Sequence, residues 1–215
     1  KSLGDLMDHV ADKGVAENTL ILFVGDNGSD GPLGDTYGYF SSAPLRGKKG
    51  TCYEGGMRVP FIASWAKAAK NNPFKIARNH LHHEQIGTVM DIYSTIVDAS
   101  NSNSPAKHQV DGVSLLSQLS GKNNKERSDH FMCHFPHSHR SSYFTSYRKG
   151  DWKLIYRYLT SGGKRKSKDP LPKYELYNLK SDPYETKNLA LKNSRKTNDM
   201  IRLMSKQLET ENALF

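Results

Sequence analysis

The fold is decided by the stretch LILFVGDNG, residues 20–28, in which a continuous apolar run ends abruptly in a polar turn. Five apolar residues without alternation are typical of a strand buried on both faces, as in a parallel sheet covered by helices. Upstream, the apolar positions 3, 6, 7 and 10 repeat at the spacing of one helical face. A helix, a short loop, a buried strand and a polar tip together predict an α/β domain.

After residue 105 the pattern changes to short, aromatic-rich segments separated by turn residues. Strands are predicted over residues 130–134, 143–148, 152–158 and 174–178, and apolar spacing predicts a helix over 200–208. This order favours a small antiparallel α+β unit. We therefore predict two domains, a partial α/β core over residues 1–105 and an antiparallel-sheet subdomain with a terminal helix over 106–215.

The net charge of +9, from 31 Lys and Arg against 22 Asp and Glu, first suggests a nucleic-acid partner. The excess lies late in the chain, because residues 143–215 carry 16 basic and 8 acidic side chains. Much of it is the run Lys164–Lys168, which is typical of a solvated loop or of an anion-attracting surface. No nucleic-acid-binding motif accompanies the run, so we predict no nucleic-acid partner. No apolar stretch approaches the roughly 20 residues of a membrane span.

Two ordered segments resemble signatures of the sulfatase family. Residues 18–28, NTLILFVGDNG, resemble the family's "NTLIVFTSDNG", and residues 45–60, LRGKKGTCYEGGMRVP, resemble "LRGGKGTxYEGGxRVP". Weaker similarities follow in DGVSLL (111–116), DWKLI (151–155) and ELYNLKSDPYE (175–185). The resemblance implies the C-terminal part of an alkaline-phosphatase-like sandwich plus a small antiparallel α+β subdomain, from an arylsulfatase-like, formylglycine-dependent enzyme.

The resemblance implies a sulfuric ester hydrolase acting on a sulfated small molecule or glycan. Formylglycine is made in that family from the Cys or Ser of C/S-x-P-x-R, and neither Cys52, followed by Tyr-Glu-Gly, nor Cys133, followed by His-Phe-Pro, fits. We therefore expect the formylglycine upstream, in a missing N-terminal half, and an inactive fragment. The alternatives are a phosphodiesterase or phosphonate hydrolase of the same superfamily, and a non-catalytic binder of sulfated glycans. Family resemblance also implies a periplasmic, secreted or lysosomal location.

The polar tip holds candidate metal ligands. Asp26 offers a carboxylate and Asn27 an amide oxygen, both hard donors suited to calcium. By itself the Asp-Asn-Gly sequence fits a plain turn equally well. The resemblance implies calcium ligation by both residues in the complete enzyme, although two ligands cannot fill a site of six to eight oxygens.

Lys49 is the candidate catalytic residue, because it aligns with the lysine of the family's "GKGT" motif. The resemblance implies that it holds a sulfate oxygen and stabilises the charge that develops as the S–O bond breaks. Lys48 stands where the family has glycine, which adds a second cation beside the site. Nearby, Glu54 and Arg58 flank two glycines, and we favour a structural ion pair between them over substrate contact.

The histidines at 130, 134, 137 and 139 form the other notable cluster. Their spacing resembles zinc sites but lacks supporting Cys or acidic ligands. His134-Phe135-Pro136-His137 resembles the "HYPH" segment near the substrate mouth of many bacterial sulfatases. The interpretation stays open between solvated imidazoles at a strand end and sulfate recognition by His134 and His137.

Overall fold

The computed structural model describes residues 1–30, 42–82, 84–137, 143–158 and 172–213. Its helices are α1 (Ser2–Asp12), α2 (Glu54–Met57), α3 (Asp91–Ala99), α4 (Leu116–Leu119) and α5 (Ser194–Thr210), with a 3-10 turn at Ala16–Asn18. Its strands are β1 (Leu20–Val24), β2 (Phe61–Trp65), β3 (His130–Phe135), β4 (Phe144–Lys149), β5 (Trp152–Arg157) and β6 (Tyr174–Asn178). In this part of the chain no helix is long and apolar enough to cross a membrane.

The first compact unit comprises residues 1–24 and 60–128. The predicted first strand is present as β1, but it pairs with β2 in antiparallel register, Leu20 opposite Trp65, and not in a parallel sheet. The prediction of burial on both faces is also wrong for the described residues, because Phe23 is 48% and Val24 36% exposed. A pair of only two strands cannot enclose an apolar run in the way that the centre of a larger sheet does.

The second compact unit comprises residues 25–59 and 129–215. Its four strands form an antiparallel sheet in the order β3-β4-β5-β6, which confirms the predicted strands within a few residues. The helix predicted over 200–208 is part of α5, whose Met200, Met204 and Leu208 are buried against Leu154 and Leu176. This surface of the sheet is called the helix face below.

The opposite surface of the same sheet is covered by the segment 45–58, which is called the motif segment below. Cys52 is buried there in one cluster with Phe144, Ile155, Tyr177 and Leu179, and Tyr53 and Cys133 pack against it. This surface is called the loop face. The two faces follow from strand geometry, since successive side chains point to opposite sides.

Residues 25–59 therefore pack in one compact unit with the four-stranded sheet, although the division proposed from the sequence groups them with the first domain. The reason is that polar and apolar side chains of the motif segment contact β4, β5 and β6. The division at residue 105 concerns domain organisation and stays a prediction. Both the tip and the motif segment belong to the second unit.

Candidate active site

The tip, residues 25–29, directly follows β1 and is shaped by its own short side chains. The backbone N–H of Asn27 donates to Asp26 Oδ1 at 3.0 Å, and Asn27 Nδ2 donates to the carbonyl of Gly28 at 2.9 Å. Since the amide nitrogen is only a hydrogen-bond donor, Oδ1 is the atom of Asn27 suited to metal ligation. Asp26 is exposed and Asn27 is half-buried, so neither residue is enclosed by the rest of its unit.

Lys49 lies in a tight turn between Gly47 and Gly50, whose φ angles of 85° and 82° are in the left-handed region that favours glycine. Its backbone N–H donates to the carbonyl of Ser29 at 3.0 Å, which joins the turn to the tip. Lys49 is half-buried, whereas Lys48 is exposed. Lys49 thus contacts Ser29 through the main chain, and Ser29 follows Asn27 by two residues in the sequence.

A second main-chain contact holds the tip against the glycine pair of the motif segment. The N–H of buried Gly28 donates to the carbonyl of Gly56 at 3.0 Å. A Cβ on Gly28 would overlap the carbonyl oxygen of Gly55, and a Cβ on Gly55 would lie 2.6 Å from the carbonyl oxygens of Arg46 and Gly47. The close approach explains why this part of the motif contains glycine.

A buried lysine of β5 fastens the motif segment to the sheet. Lys153 Nζ lies 2.9 Å from Glu54 Oε1 and 2.9 Å from Glu185 Oε1, with 2% or less of the Lys153 and Glu185 side chains exposed. Glu185 Oε2 also accepts the backbone N–H of Glu54 at 2.6 Å. Lys153, Glu54 and Glu185 are called the Lys153 cluster below. The predicted Glu54–Arg58 ion pair is present as well, at 2.8 Å.

The pKa values of the two carboxylates in the Lys153 cluster are shifted in opposite directions. Burial is the largest influence on Glu54 and works against its charged form, but the charge and hydrogen bond of Lys153, together with the charges of Arg58 and Arg148, hold the pKa of Glu54 below its usual value. At Glu185 burial dominates and raises the pKa. A buried cation between two carboxylates requires both partners, because removal of one leaves an uncompensated charge.

A second polar cluster lies beside the first on the loop face. Arg157 Nη2 lies 2.6 Å from Glu175 Oε1 and donates to the hydroxyl of Tyr53 at 3.0 Å. Arg46 donates to the hydroxyl of Tyr177 at 2.9 Å and lies 3.8 Å above the ring of Tyr53. Burial, together with the charge of Glu175, raises the pKa of Tyr53 to about 12.

These two clusters are not predicted from the sequence, although the segments that supply them resemble family motifs. Lys153 lies in DWKLI, and Glu175, Tyr177 and Glu185 lie in ELYNLKSDPYE. A charged residue inside an apolar strand was the available signal, because such a residue is buried only when it is paired. Their partners could not be read from the sequence, since Glu54 is 99 residues from Lys153.

The two candidate histidines lie on different faces of the sheet. His134 points to the helix face, where Nδ1 is 2.8 Å from Thr145 Oγ1 and 3.2 Å from the hydroxyl of Tyr158. His137 follows β3, and its ring centroid lies 3.8 Å from that of Phe135, which packs on the loop face. Of the two, His137 is therefore on the side of the sheet that the motif segment covers.

The described residues offer the type of ligand that calcium prefers, but too few of them to fill a calcium site. Asp26 and Asn27 present hard oxygen donors, as calcium prefers. Among the described residues no group of three or more His, Cys, Asp and Glu is placed to hold a metal ion. Further oxygen ligands are thus required from elsewhere. His139 and the basic run Lys164–Lys168 lie outside the described residues.

Comparison with solved structures identifies the fold class. A putative sulfatase from Bacteroides thetaiotaomicron superposes with a TM-score of 0.70 over 96% of this chain and 39% of that chain, at 19% identity. At this identity the similarity shows the fold alone. The class is the mixed α/β, alkaline-phosphatase-like fold expected from the sequence.

Sequence comparison then gives the family. Residues 1–102 match the family model described as Sulfatase. A sulfatase from Formosa agariphila is 32% identical over 206 residues, which are 91% of this chain and 33% of the relative. N-acetylgalactosamine-6-sulfatase of Canis lupus familiaris is 32% identical over 120 residues, 56% of this chain and 21% of that protein. The chain belongs to the sulfatase family, and it spans a third or less of the length of these relatives.

Proposed function

We propose that this chain is the C-terminal part of an enzyme that hydrolyses sulfate esters of carbohydrates. The observation that supports the proposal is the main-chain packing of the tip on the motif segment, in which Lys49 donates its backbone N–H to Ser29, two residues after Asn27. An anion-binding lysine next to hard oxygen ligands suits a cation-assisted reaction at a sulfate group. The carbohydrate class is supported by the name of the N-acetylgalactosamine-6-sulfatase relative.

In this proposal Lys49 holds a sulfate oxygen and stabilises the negative charge that grows as the ester S–O bond breaks. Its half-buried position favours this role over that of exposed Lys48. The Gly47 and Gly50 backbone allows an anion to approach the ammonium group closely. His137 is the better candidate of the two histidines for substrate contact, because it lies on the loop-face side.

Asp26 and Asn27 would hold calcium together with ligands from the rest of the enzyme. When bound, that cation neutralises sulfate oxygens, and a formylglycine supplied from upstream provides the nucleophile. Of this chain's own residues, Lys49 would bind and orient the sulfate group directly from the turn, whereas Asp26 and Asn27 would hold the cation. The sequence C/S-x-P-x-R upstream of Lys1 is the expected source of the nucleophile.

The proposal is tested with the complete protein that contains this chain, assayed with N-acetylgalactosamine 6-sulfate and with an aryl sulfate. We expect calcium-dependent sulfate release that is lost in Lys49→Ala and largely kept in Lys48→Ala. Greater activity on a phosphodiester than on either sulfate ester would contradict the proposal and favour the phosphodiesterase alternative. Glycan binding without turnover would favour the non-catalytic alternative.

The 215-residue chain by itself is expected to release no sulfate from an aryl sulfate. Neither of its two cysteines lies in C/S-x-P-x-R. Residues 42–46, Ser-Ala-Pro-Leu-Arg, match the serine form of that pattern, so Ser42→Ala is included as a second control. The measurement is sulfate release by the pure chain in the presence of calcium. Turnover above that of a Lys49→Ala control would show that the chain contains its own nucleophile.

A further inference from the structure

Asn27 is the only asparagine of the chain that is followed by glycine. In such a pair the backbone nitrogen of the glycine can attack Cγ of the asparagine, because glycine has no side chain to hinder the approach. The N–Cγ bond forms, the Cγ–Nδ2 bond breaks, and Nδ2 leaves as ammonia with the proton of the glycine amide. Water then opens the cyclic imide at either carbonyl, giving aspartate or isoaspartate, with no oxidant or reductant.

In the folded chain, both reacting groups, the backbone nitrogen of Gly28 and the side-chain amide of Asn27, are held in hydrogen bonds. The attacking atom, the nitrogen of Gly28, donates its N–H to the carbonyl of Gly56 at 3.0 Å. Asn27 Nδ2 donates to the carbonyl of Gly28 at 2.9 Å, which holds the side chain in place. Gly28 is buried against Gly55 and Gly56, so its backbone cannot rotate towards Asn27 Cγ unless the glycine pair moves away.

The glycine pair is in turn held by the Lys153 cluster. Glu54, the residue before the pair, is bound through its carboxylate to Lys153 and through its backbone N–H to Glu185. The N–H of Gly55 donates to the carbonyl of Arg46 at 2.7 Å. Opening of the motif segment therefore requires buried ion pairs to break, and the frequency of such local opening sets the rate of any reaction that depends on it.

We propose that Asn27 is a latent deamidation site, which the folded motif segment protects and which local opening of that segment exposes. Isoaspartate adds a methylene to the main chain between residues 27 and 28, so the Gly28–Gly56 bond and the tight packing of Gly28 cannot form again. Once isoaspartate has formed, the tip cannot return to its native conformation when the motif segment closes again. The chemistry at Asn27 does not rest on the proposed function.

The test incubates the 215-residue chain in mildly alkaline buffer and measures deamidation and isoaspartate in the tryptic peptide that contains Asn27. Native chain, guanidinium-unfolded chain, Lys153→Met and Glu185→Gln are compared. Lys149→Met is the matched control, because its ion pair with Asp129 lies on the same sheet but is exposed. Circular dichroism establishes which variants are folded.

We expect the native chain to deamidate at least about tenfold more slowly than the unfolded chain, since the reaction must await opening. Glu185→Gln and, if it folds, Lys153→Met should react several-fold faster than the native chain, whereas Lys149→Met should not. Equal rates in the native and unfolded chains would overturn the proposal. So would folded Glu185→Gln reacting at the native rate, and neither result would bear on sulfate hydrolysis.

Discussion

At Gly55 the motif segment leaves no room for a side chain. A Cβ there would lie 2.6 Å from two carbonyl oxygens of the Lys49 turn, so Gly55→Ala should lower the free energy of unfolding by about 1–3 kcal/mol through overpacking. Gly4→Ala is the control, because Gly4 lies in α1 with nothing within 4 Å of the added Cβ. Guanidinium unfolding measures both variants. Equal stabilities would contradict the close packing of Gly55 on the carbonyl groups of residues 45–47.

Lys153 is the residue whose loss should cost most. Lys153→Met leaves the buried carboxylates of Glu54 and Glu185 without their cation, and removal of one partner from a buried pair costs about 3–5 kcal/mol. Lys149→Met removes an exposed ion pair to Asp129, for which about 0–1 kcal/mol is expected. The difference between the two unfolding free energies is the measurement. A difference near zero would mean that the Lys153 cluster does not stabilise the fold.

His134 and His137 differ in what their loss should change. In the complete enzyme, His137→Ala should raise KM for a sulfated sugar with little change in stability, because its ring is exposed beside the loop face. His134→Ala should instead lower the unfolding temperature, because it removes the contacts with Thr145 and Tyr158. Steady-state kinetics and thermal unfolding of both variants decide this. The reverse pattern would place substrate contact on the helix face.

At the scale of the elements, the motif segment and the sheet are joined by Tyr53, whose pKa lies at about 12 against an ordinary value of 10.0. A raised pKa in the folded state means that the folded protein retains the proton more tightly than the unfolded chain does. The corresponding stability is present in full below pH 10 and is lost as pH rises from 10 to 12.

Tyr53→Phe should therefore flatten part of the alkaline decline in the free energy of unfolding. Some of the decline should remain, because burial also raises the pKa of Tyr177. Tyr184→Phe serves as the control, since Tyr184 is 45% exposed. Chemical denaturation at pH 10 and pH 12 gives the comparison. An alkaline slope in Tyr53→Phe as steep as that of the parent chain would show that Tyr53 does not contribute.

The elements themselves were largely predictable from the sequence, because their patterns are local. The aromatic-rich strands β3 to β6 and helix α5 follow from alternation and helical spacing, and both were found near the predicted residues. The pairing of β1 was not predictable. An apolar run such as residues 20–24 shows that a strand forms, but not which strand will pair with it or in which direction.

At the scale of the whole molecule, the candidate site could be predicted only where a motif carried it. Two short segments predict Asp26, Asn27 and Lys49, and main-chain hydrogen bonds join those segments in the structure. The strand residues that hold the motif segment lie about a hundred positions away, 99 for Lys153 and Glu54 and 104 for Arg157 and Tyr53. Contacts at such separation depend on the tertiary fold and leave only a weak trace in the sequence.

The central claim is that Lys49 acts on a sulfate ester beside the Asp26–Asn27 tip. It is tested most directly by the rate of calcium-dependent sulfate release from N-acetylgalactosamine 6-sulfate by the complete protein, compared between the parent, Lys49→Ala and Lys48→Ala. Removal of one charge-stabilising donor costs about 100- to 1,000-fold in kcat, so that loss is expected for Lys49→Ala and at most a few-fold for Lys48→Ala. Undiminished sulfate release by Lys49→Ala would contradict the account.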